Sequence, residues 1–345
     1  MLTVAFLPVY QNPYQHLLTE ALGKIGVHVE LLDGMPSPVW LLRERQRVQV
    51  LHLHWLYGLY MKHYLTPVRL FSFLSRLTLA QHLGFRIVWT VHNILPHHRP
   101  FPPMHAMVRR FVVQQADAMI AHCEYGRREI LRRFPSQKPV YIVPHGNYAG
   151  VHPVSLTSSY ARTMLEIGPK QFVYLLLGNI SPYKGIESFV DAFQAHGTAH
   201  DVVLIAGRNR APALLRQLEA LAADDTRIRV YPGFIADDEM QRFLRAANVM
   251  VFCFKEVLTS GSIILGMTHG VPVIAPALGC LPELVTPAAG ILYNPHEPSA
   301  LAGALRQIKQ MDTAKMGAEA KRIADSLCWD DIARQTAAIY RKCLG

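Results

Sequence analysis

The stretch LLLGNISPYKGIESFVDAF, residues 175–193, passes from an apolar run through a Gly- and Pro-containing turn into a segment of helical period. Such a run is typical of a strand buried on both faces of a parallel sheet. Backbone N–H groups at the helix start and the Lys184 ammonium could bind one anion, which predicts a diphosphate site at Gly178 and Lys184. A purely steric role for the turn stays open, because glycine suits tight strand-to-helix connections.

The same alternation of apolar runs and helical periods extends over a chain of 345 residues. Six such runs lie between Leu2 and Val143, and six more lie between Phe172 and Leu292. This pattern predicts an α/β protein with two Rossmann-like, doubly wound domains whose strand ends face a central cleft. The predicted parts are residues 1–150, residues 151–328 and a terminal helix at 329–345, with a linker at 147–160.

Composition excludes several classes of protein. Half of the residues are apolar and 17% are charged, which is incompatible with a disordered chain. Apolar runs stay well short of the roughly 20 residues of a membrane-spanning helix. The first ten residues have no basic residue before their apolar stretch, so they are predicted to form a strand rather than a signal peptide, and we expect a cytoplasmic protein. The five cysteines have no metal-ligand spacing, so no metal site is predicted.

Positive charge is concentrated in the first half of the chain. Residues 1–150 carry 16 Lys and Arg against 7 Asp and Glu, whereas residues 151–345 carry 19 and 18. An excess of this kind attracts an anionic membrane surface, a phosphorylated substrate or nucleic acid. No nucleic-acid-binding motif is present, so nucleic acid is not predicted as a partner. The segment 61–86 interleaves Arg69 and Arg76 with apolar residues, which would suit a lipid headgroup boundary or an ordinary crossover helix.

A second loop in the C-terminal half resembles an anion or sugar site. In FKEVLTSGSIILGMTHGVPVIAP, residues 254–276, Thr259 and Ser260 stand at a predicted helix start, and the helix ends near Gly270. Hydroxyls and N–H groups there could hold a phosphate or sugar hydroxyls, or Ser260 could simply cap the helix. In the N-terminal half, LHLHW and WTVHNILPHH place histidines at strand ends, where imidazoles can serve as a base or a hydrogen-bond donor.

The ordered motifs TVHN, VPHGN, GNISPYKG, IAGRN, YPGF and EVLTSGSIILGMTHGVPVIAP resemble those of GT-B nucleotide-sugar glycosyltransferases. Within this class, the motifs resemble those of retaining family-four enzymes and those of xanthan-type exopolysaccharide mannosyltransferases, which invert the anomeric centre. The resemblance covers nearly the whole chain. It implies a GT-B architecture whose terminal helix crosses back to the N-terminal domain. It also implies a metal-independent transfer without a cofactor, in which mannose from GDP-mannose is the first donor to consider.

The resemblance also implies roles for individual residues. His92 would lie beside the transferred sugar, and Glu256 falls next to the first of two family glutamates, whereas Leu265 stands at the second. Asn179 occupies the position of a family arginine, so one phosphate contact is either missing or supplied by Arg208 or Arg210. The implied site residues are, for catalysis, His92 and Glu256; for the donor diphosphate and sugar, Gly178, Lys184, Arg208, Thr259, Ser260, Gly261 and Ser262; for the nucleobase, Phe234 and Ile235; and on the acceptor side, Asn12, Tyr14, His54, Asn93, His97, His98 and His145.

A lipid-linked or polysaccharide acceptor at the inner face of the plasma membrane would account for the basic first half. Two other functions remain open at this point. A nucleotide-sugar epimerase of GT-B shape would need no membrane-facing surface, and a non-catalytic sugar-nucleotide binding subunit would be compatible with the missing glutamate pair. The stereochemical outcome, inverting or retaining, is also open.

Overall fold

A computed structural model describes residues 1–10, 12–61, 65–96, 101–152 and 155–345. The chain divides into two compact units, Met1–Gly146 with Leu327–Gly345, and Asn147–Ser326. Each unit contains a six-stranded sheet in which all the pairs described are parallel. The predicted α/β fold with two Rossmann-like sheets is confirmed.

The first unit has the sheet order β2-β1-β3-β4-β5-β6. Its strands are β1 Leu2–Leu7, β2 Val27–Leu31, β3 Val50–Leu53, β4 Arg86–Thr90, β5 Ala118–Ala121 and β6 Val140–Ile142. The helices before residue 146 are α1 Pro13–Lys24, α2 Pro38–Glu44, α3 Tyr57–Tyr60, α4 Thr66–His82, α5 Pro102–Gln115 and α6 Glu124–Arg133. Because β1 lies between β2 and β3, the strand order reverses there, and the loops that follow β1 and β3 lie side by side.

The second unit has the sheet order β12-β11-β10-β7-β8-β9. Its strands are β7 Phe172–Leu177, β8 Asp201–Gly207, β9 Ile228–Pro232, β10 Val249–Val251, β11 Val273–Pro276 and β12 Gly290–Tyr293. Its helices are α7 Ser158–Met164, α8 Ile186–His196, α9 Pro212–Asp224, α10 Asp237–Ala246, α11 Gly261–Thr268, α12 Leu281–Leu284, α13 Ala300–Ile308 and α14 Thr313–Asp325. The reversal of strand order falls between β7 and β10. Helix α7 begins inside the stretch predicted as a linker, with the side chain of Thr157 accepting from Tyr160 N–H.

The last helix, α15 Trp329–Leu344, is part of the first unit. Its residues Ile332, Ala337 and Tyr340 are buried in the same hydrophobic core as Leu18 and Leu22 of α1. Apolar residues spaced three and four apart produce this stripe on one face of the helix. The packing completes a layer over the β1 side of the N-terminal sheet.

In the described parts of the chain, no helix is both long and apolar enough to cross a membrane. The segment predicted to lie at a headgroup boundary is largely helix α4, and it is only partly exposed. Phe73 and Leu77 are buried in the protein, so these two belong to the core and not to a lipid-facing surface. Val68 and Phe71 are 68% and 74% exposed. Lys62 lies outside the described residues.

Candidate active site

Three predicted donor residues of the second unit converge at the reversal of strand order. Gly178 follows β7 with φ +122°, a conformation that residues with a side chain rarely adopt. A Cβ built at this position would lie 3.4 Å from Lys184 Nζ and 3.6 Å from Ser262 Oγ. The missing side chain therefore leaves a gap flanked by an ammonium and a hydroxyl, which suits an anionic oxygen.

Backbone packing fixes the position of Lys184. It ends a short 3-10 helix, Pro182–Lys184, and is followed by Gly185 with a left-handed φ of +63°. A Cβ at Gly185 would lie 2.1 Å from the carbonyl oxygen of Cys253, so only glycine fits between this turn and the chain after β10. The Nζ atom lies 4.9 Å from the ring centroid of Phe254. Burial lowers the pKa of Lys184 to about 8, because an ammonium loses hydration there.

Helix α11 presents its N-terminal end to the same region. It begins at Gly261, and the Ser260 side chain makes no hydrogen bond that caps the helix. Capping therefore does not account for Ser260, which is nearly buried. Thr259, Gly261 and Ser262 are each partly exposed. Thr259 and Ser260 thus precede the first turn of α11, and Gly261 and Ser262 form its start.

The loops that follow β7, β8 and β9 are joined through their backbones. Ile180 N–H donates to the carbonyl of Arg208 at 2.9 Å, and Gly233 N–H donates to that of Gly207 at 3.0 Å. The guanidinium carbon of Arg208 lies 5.0 Å from the ring centroid of the exposed Phe234. Phe234 and the adjacent Ile235, which are predicted to line a nucleobase pocket, thus lie beside the loop that carries Arg208. Glu256 is exposed in the segment between β10 and α11.

In the first unit, histidines gather at the carboxyl edge of the sheet. His54 follows β3 directly, His92 follows β4, His122 follows β5 and His145 follows β6. All four are buried. The ring of Tyr14, in α1, contacts each of them, with centroid distances between 4.9 and 5.9 Å. Parallel strands in neighbouring positions thus bring together residues that are far apart in the chain.

Hydrogen-bond distances connect three of these rings in a row. His54 Nδ1 lies 3.1 Å from His92 Nε2, and His92 Nδ1 lies 3.3 Å from His122 Nε2. His122 Nδ1 lies 2.9 Å from the carbonyl oxygen of Val143. We call His54, His92 and His122 the histidine row. The His92 ring also stacks on Trp55, with centroids 4.1 Å apart.

Burial keeps these imidazoles neutral. It lowers the pKa of His54 and of His92 well below the ordinary value, and neighbouring histidines lower it further. The pKa of His122 falls to about 4, although its hydrogen bond to Val143 opposes the change. The pKa of His145 falls to about 3, also through burial. In the described ranges, no group of three or more His, Cys, Asp or Glu side chains could hold a metal ion.

A cavity of about 40 Å³ lies beside the histidine row. It has room for a water molecule. Buried Arg109 donates to the Tyr60 hydroxyl at 2.9 Å, and this hydroxyl lies 2.7 Å from His105 Nδ1. The lining residues are His54, Trp55, Leu56, Tyr57, Trp89, His92, Asn93, Pro96 and Arg109.

The remaining residues predicted for the acceptor side lie in different places. Asn12 caps α1, since its side chain accepts from Tyr14 N–H at 2.9 Å, so its amide has a structural role. His97 and His98 lie outside the described residues. The sequence motifs did not predict His122 or Arg109 as site residues. His122 could have been found, because it follows an apolar run as His54 does, whereas Arg109 lies inside helix α5 and the sequence gives no signal for it.

Two family models match this chain. Residues 14–147 match the model described as Glycosyltransferase Family 4, and residues 171–310 match the one described as Glycosyl transferases group 1. The first range contains the histidine row, and the second contains Gly178, Lys184 and Ser262. Each of the two candidate regions thus lies in a glycosyltransferase domain.

Curated relatives support the same conclusion. A GDP-mannose:glycolipid 4-beta-D-mannosyltransferase of Xanthomonas campestris pv. campestris is 25% identical over 297 residues, which cover 81% of this chain and 79% of the relative. A D-inositol 3-phosphate glycosyltransferase of Streptomyces avermitilis is 27% identical over 265 residues, which cover 70% of this chain and 55% of the relative. Both relatives are less than 30% identical to this chain.

Solved structures share the fold over almost the full chain. A sucrose-phosphate synthase from Thermosynechococcus elongatus has a TM-score of 0.77 at 21% identity, covering 100% of this chain and 99% of that one. Anabaena HepE in complex with UDP and glucose has a TM-score of 0.76 at 16% identity, and the match covers 99% of this chain and 100% of that one. With the two family domains in sequence order, these findings identify the chain as a glycosyltransferase of the GT-B fold.

Proposed function

We propose that this glycosyltransferase transfers mannose from GDP-mannose to a lipid-linked or polysaccharide acceptor in cell-surface or exopolysaccharide synthesis. The observation that carries the donor half is the gap at Gly178 between Lys184 Nζ and Ser262 Oγ. The choice of mannose rests on the Xanthomonas relative, whose printed name gives GDP-mannose and a glycolipid.

In this proposal, the donor diphosphate occupies the gap at Gly178. Negative charge grows on the leaving diphosphate as the sugar departs, and charge stabilisation is then the largest contribution to the rate. Lys184, Ser262 and the N-terminal N–H groups of α11 supply this stabilisation. We propose that transfer is independent of a divalent metal for that reason. The base stacks on Phe234, with Arg208 above the same ring and Ile235 beside it.

We further propose that the reaction inverts the anomeric centre. The name of the Xanthomonas relative specifies a β-linked product, whereas the sugar of GDP-mannose is α-linked. Inversion in one displacement requires a base on the acceptor side. The histidine row of the first unit supplies the candidates, with His92 beside the transferred sugar. Glu256 remains a proposed second catalytic residue in the C-terminal unit.

The acceptor proposal rests on an exposed surface of the first unit. Val39 and Leu42 of α2 are 74% and 54% exposed, and α2 contacts α4, which exposes Val68 and Phe71. Four exposed apolar side chains on adjoining helices suit a lipid surface better than water. We define these four as the apolar surface. It supports a peripheral position at the inner face of the plasma membrane.

Arginines near the apolar surface would strengthen such binding. Arg69 and Arg76 donate to the backbone carbonyls of Gly58 and Met35, and no ion pair of either arginine is described. Arg132 differs, because it pairs with Glu129 at 2.7 Å. Arg69 and Arg76 therefore keep their charge available for anionic headgroups, whereas that of Arg132 is largely compensated.

The test measures transfer directly. The purified protein is incubated with radiolabelled GDP-mannose or UDP-glucose, with and without a bacterial lipid extract, and with and without EDTA. We expect label in the lipid phase from GDP-mannose alone, unchanged by EDTA. Label from UDP-glucose would contradict the proposed donor, and label in a water-soluble glycan alone would exclude the lipid-linked acceptor in favour of the polysaccharide. Interconversion of the nucleotide sugar without transfer would contradict the proposed reaction.

A further inference from the structure

The histidine row has a single arrangement of hydrogens that satisfies all of its hydrogen bonds. The Val143 carbonyl can only accept, so His122 Nδ1 must carry a hydrogen. Because burial keeps His122 neutral, its Nε2 has a lone pair and must accept from His92 Nδ1. His92 Nε2 then accepts from His54 Nδ1. All three rings therefore carry their hydrogen on Nδ1 and their lone pair on Nε2.

This arrangement leaves one nitrogen unused. His54 Nε2 carries a lone pair, is buried and has no hydrogen-bond partner within the described ranges. Buried acceptors without a donor are rare in folded proteins, and they often mark a place where a ligand or water donates. His54 is also one of the residues that line the cavity of about 40 Å³. A hydroxyl group or water in this cavity would supply the missing donor.

Both nitrogens of His92 are already engaged, which argues against His92 as the direct base. Its Nε2 accepts from His54, and its Nδ1 donates to His122. Its ring is held flat against Trp55, with an interplanar angle of 12°. Taking a substrate proton would require His92 to give up a hydrogen bond, whereas His54 Nε2 can accept one without loss.

We propose that His54 Nε2 takes the proton of the acceptor hydroxyl through one water in the cavity, and that His92 and His122 carry the positive charge onward. This inference rests on the proposed function, since it assumes an attacking hydroxyl. It makes His54 the catalytic base, in place of His92. His92 and His122 become positioning residues that act through His54.

The proton movements balance. As the acceptor oxygen forms its bond to the anomeric carbon, its proton passes to the water, and a proton of that water passes to His54 Nε2. The hydrogen on His54 Nδ1 moves to His92 Nε2, and that on His92 Nδ1 moves to His122 Nε2. The bond between the anomeric carbon and the diphosphate oxygen breaks, and the diphosphate keeps the electron pair. His122 ends as an imidazolium whose Nδ1–H still donates to Val143.

The two ends of the histidine row differ in a way that favours movement of the proton from His54 to His122. The Val143 carbonyl stabilises a charged ring at His122, and it raises the pKa there against the effect of burial. Burial disfavours a proton on His54 as well, and none of the hydrogen bonds described for its ring goes to a carbonyl that would offset this effect. A proton that enters at His54 is therefore more stable at His122.

Other titratable groups surround the row but do not belong to it. His52 Nδ1 lies 2.6 Å from the Tyr340 hydroxyl, and its Nε2 lies 2.7 Å from Thr90 Oγ1, so both of its nitrogens are engaged elsewhere. His145 Nδ1 donates to the Gly146 carbonyl at 2.7 Å. Tyr14 contacts the row through its ring, and Tyr57 and Arg109 are titratable or charged residues that line the cavity.

The first test reads the hydrogen positions and needs no substrate. Histidine-selective ¹⁵N labelling distinguishes a nitrogen that carries hydrogen from one that carries a lone pair, and single His→Asn variants assign the signals. At pH 7 we expect hydrogen on Nδ1 of His54, His92 and His122. In His122→Phe, which keeps a buried ring without its nitrogens, we expect the hydrogens of His92 and His54 to lose this fixed placement. Hydrogen on Nε2 of any row member in the native protein would overturn the proposal.

The second test uses turnover. The His54→Asn variant can keep a donor near the Nδ1 position but has no atom at Nε2, and we expect its kcat to fall by about 10²- to 10⁴-fold, the usual contribution of a general base. Its dissociation constant for nucleoside diphosphate should not change, because the donor residues lie in the other unit. The control is His52→Asn, which replaces another buried histidine that lies beside His54 but outside the row. The folded fraction of this variant should keep the native pH profile of kcat.

The outcomes separate this inference from the proposed function. If no donor supports transfer by the native protein, the proposed function fails, and the ¹⁵N experiment still decides the arrangement of the row. If transfer occurs and folded His54→Asn retains native kcat, the proposal is wrong while the proposed function stands. If His92→Asn loses far more activity than His54→Asn, His92 is the direct base.

Discussion

The indole ring of Trp329, at the start of α15, occupies the space beside Gly146 that any side chain would need. A Cβ at Gly146 would lie 2.3 Å from Trp329 Cε2. The same indole contacts the ring of Tyr14 at a centroid distance of 5.3 Å. Gly146 follows directly on His145, so this close contact joins the last helix to the edge of the sheet that carries the histidines.

Replacement of Gly146 should therefore destabilise the first unit. In Gly146→Ala, the new methyl group displaces the indole, and overpacking of this kind costs about 1–3 kcal/mol. The control is Gly23→Ala in α1, where a Cβ meets nothing within 4 Å and a helical alanine is favoured. Urea unfolding followed by tryptophan fluorescence should show a lower midpoint for Gly146→Ala alone. Equal midpoints would mean that Trp329 is not held in this place.

Removal of the Lys184 ammonium should abolish most transfer. Loss of a contact that stabilises developing negative charge lowers kcat by about 10²- to 10³-fold. The control is Lys170→Ala, which removes an exposed ammonium from the same unit. Circular dichroism establishes that both variants fold, and steady-state transfer is then measured. Near-native turnover by folded Lys184→Ala would remove the diphosphate assignment.

The affinity for nucleoside diphosphate should decline in mild alkali. The pKa of Lys184 is about 8 in the free protein, so its charge is present below pH 8 and is lost as the pH rises through this value. Calorimetric titration between pH 7 and pH 9.5 should show weaker binding above pH 8. Lys184→Arg keeps a positive charge over the whole range, and its alkaline decline should vanish. A decline shared by both proteins would have to arise from another group.

The first unit should lose stability in mild acid. The pKa of His122 is about 4 and that of His52 about 3 in the folded chain, against about 6.5 when unfolded. Between these values the unfolded state binds more protons, so stability falls as the pH falls, by up to about 1.4 kcal/mol per pH unit for each buried histidine. Urea midpoints at pH 7, 6 and 5 measure this slope. His52→Asn should reduce it, and an unchanged slope would contradict the assignment.

Binding to anionic vesicles should depend on the apolar surface and its arginines. Each basic residue near such a surface contributes up to about 1 kcal/mol, and the contribution is screened by salt. Sedimentation with phosphatidylglycerol vesicles should weaken in Phe71→Ser and in the double variant Arg69→Gln with Arg76→Gln. Met164→Ser, which changes an exposed apolar residue of the second unit, should bind as the native protein does. Binding indifferent to salt and to these variants would contradict a membrane role.

Most of the fold was predictable because a parallel strand that is buried on both faces has a continuous run of apolar residues in its sequence. All twelve predicted runs correspond to strands. Hydropathy predicts a strand over the apolar run VMVFCF at residues 249–254, but the strand ends at Val251. Just beyond the end of this strand, Gly185 packs against the backbone of Cys253. This contact joins segments that are far apart in the chain, so the hydropathy of the run does not predict it. Helix α7 was missed because its seven residues, SSYARTM, contain little apolar periodicity.

The candidate site was predictable only in part. Gly178, Lys184 and Ser262 could be chosen from two loops because each loop has a recognisable pattern of turn and hydroxyl residues. His122 has only the weaker signal of a histidine that follows an apolar run, and its role depends on the adjacency of β4 and β5. Likewise, the unpaired state of His54 Nε2 depends on the hydrogen bonds of the histidine row. The first of these joins His54 to His92, which is 38 positions away, so no local spacing in the sequence predicts it.

The place of α15 in the first unit bears on how the chain folds as it is made. Residues 147–326 form a unit of their own and leave the ribosome before Trp329 does. The core that Leu18 and Leu22 share with Ile332 and Tyr340 can close only after the last helix has emerged. The N-terminal unit is thus translated first and completed last, and its β1 side must stay shielded from other chains during the intervening synthesis.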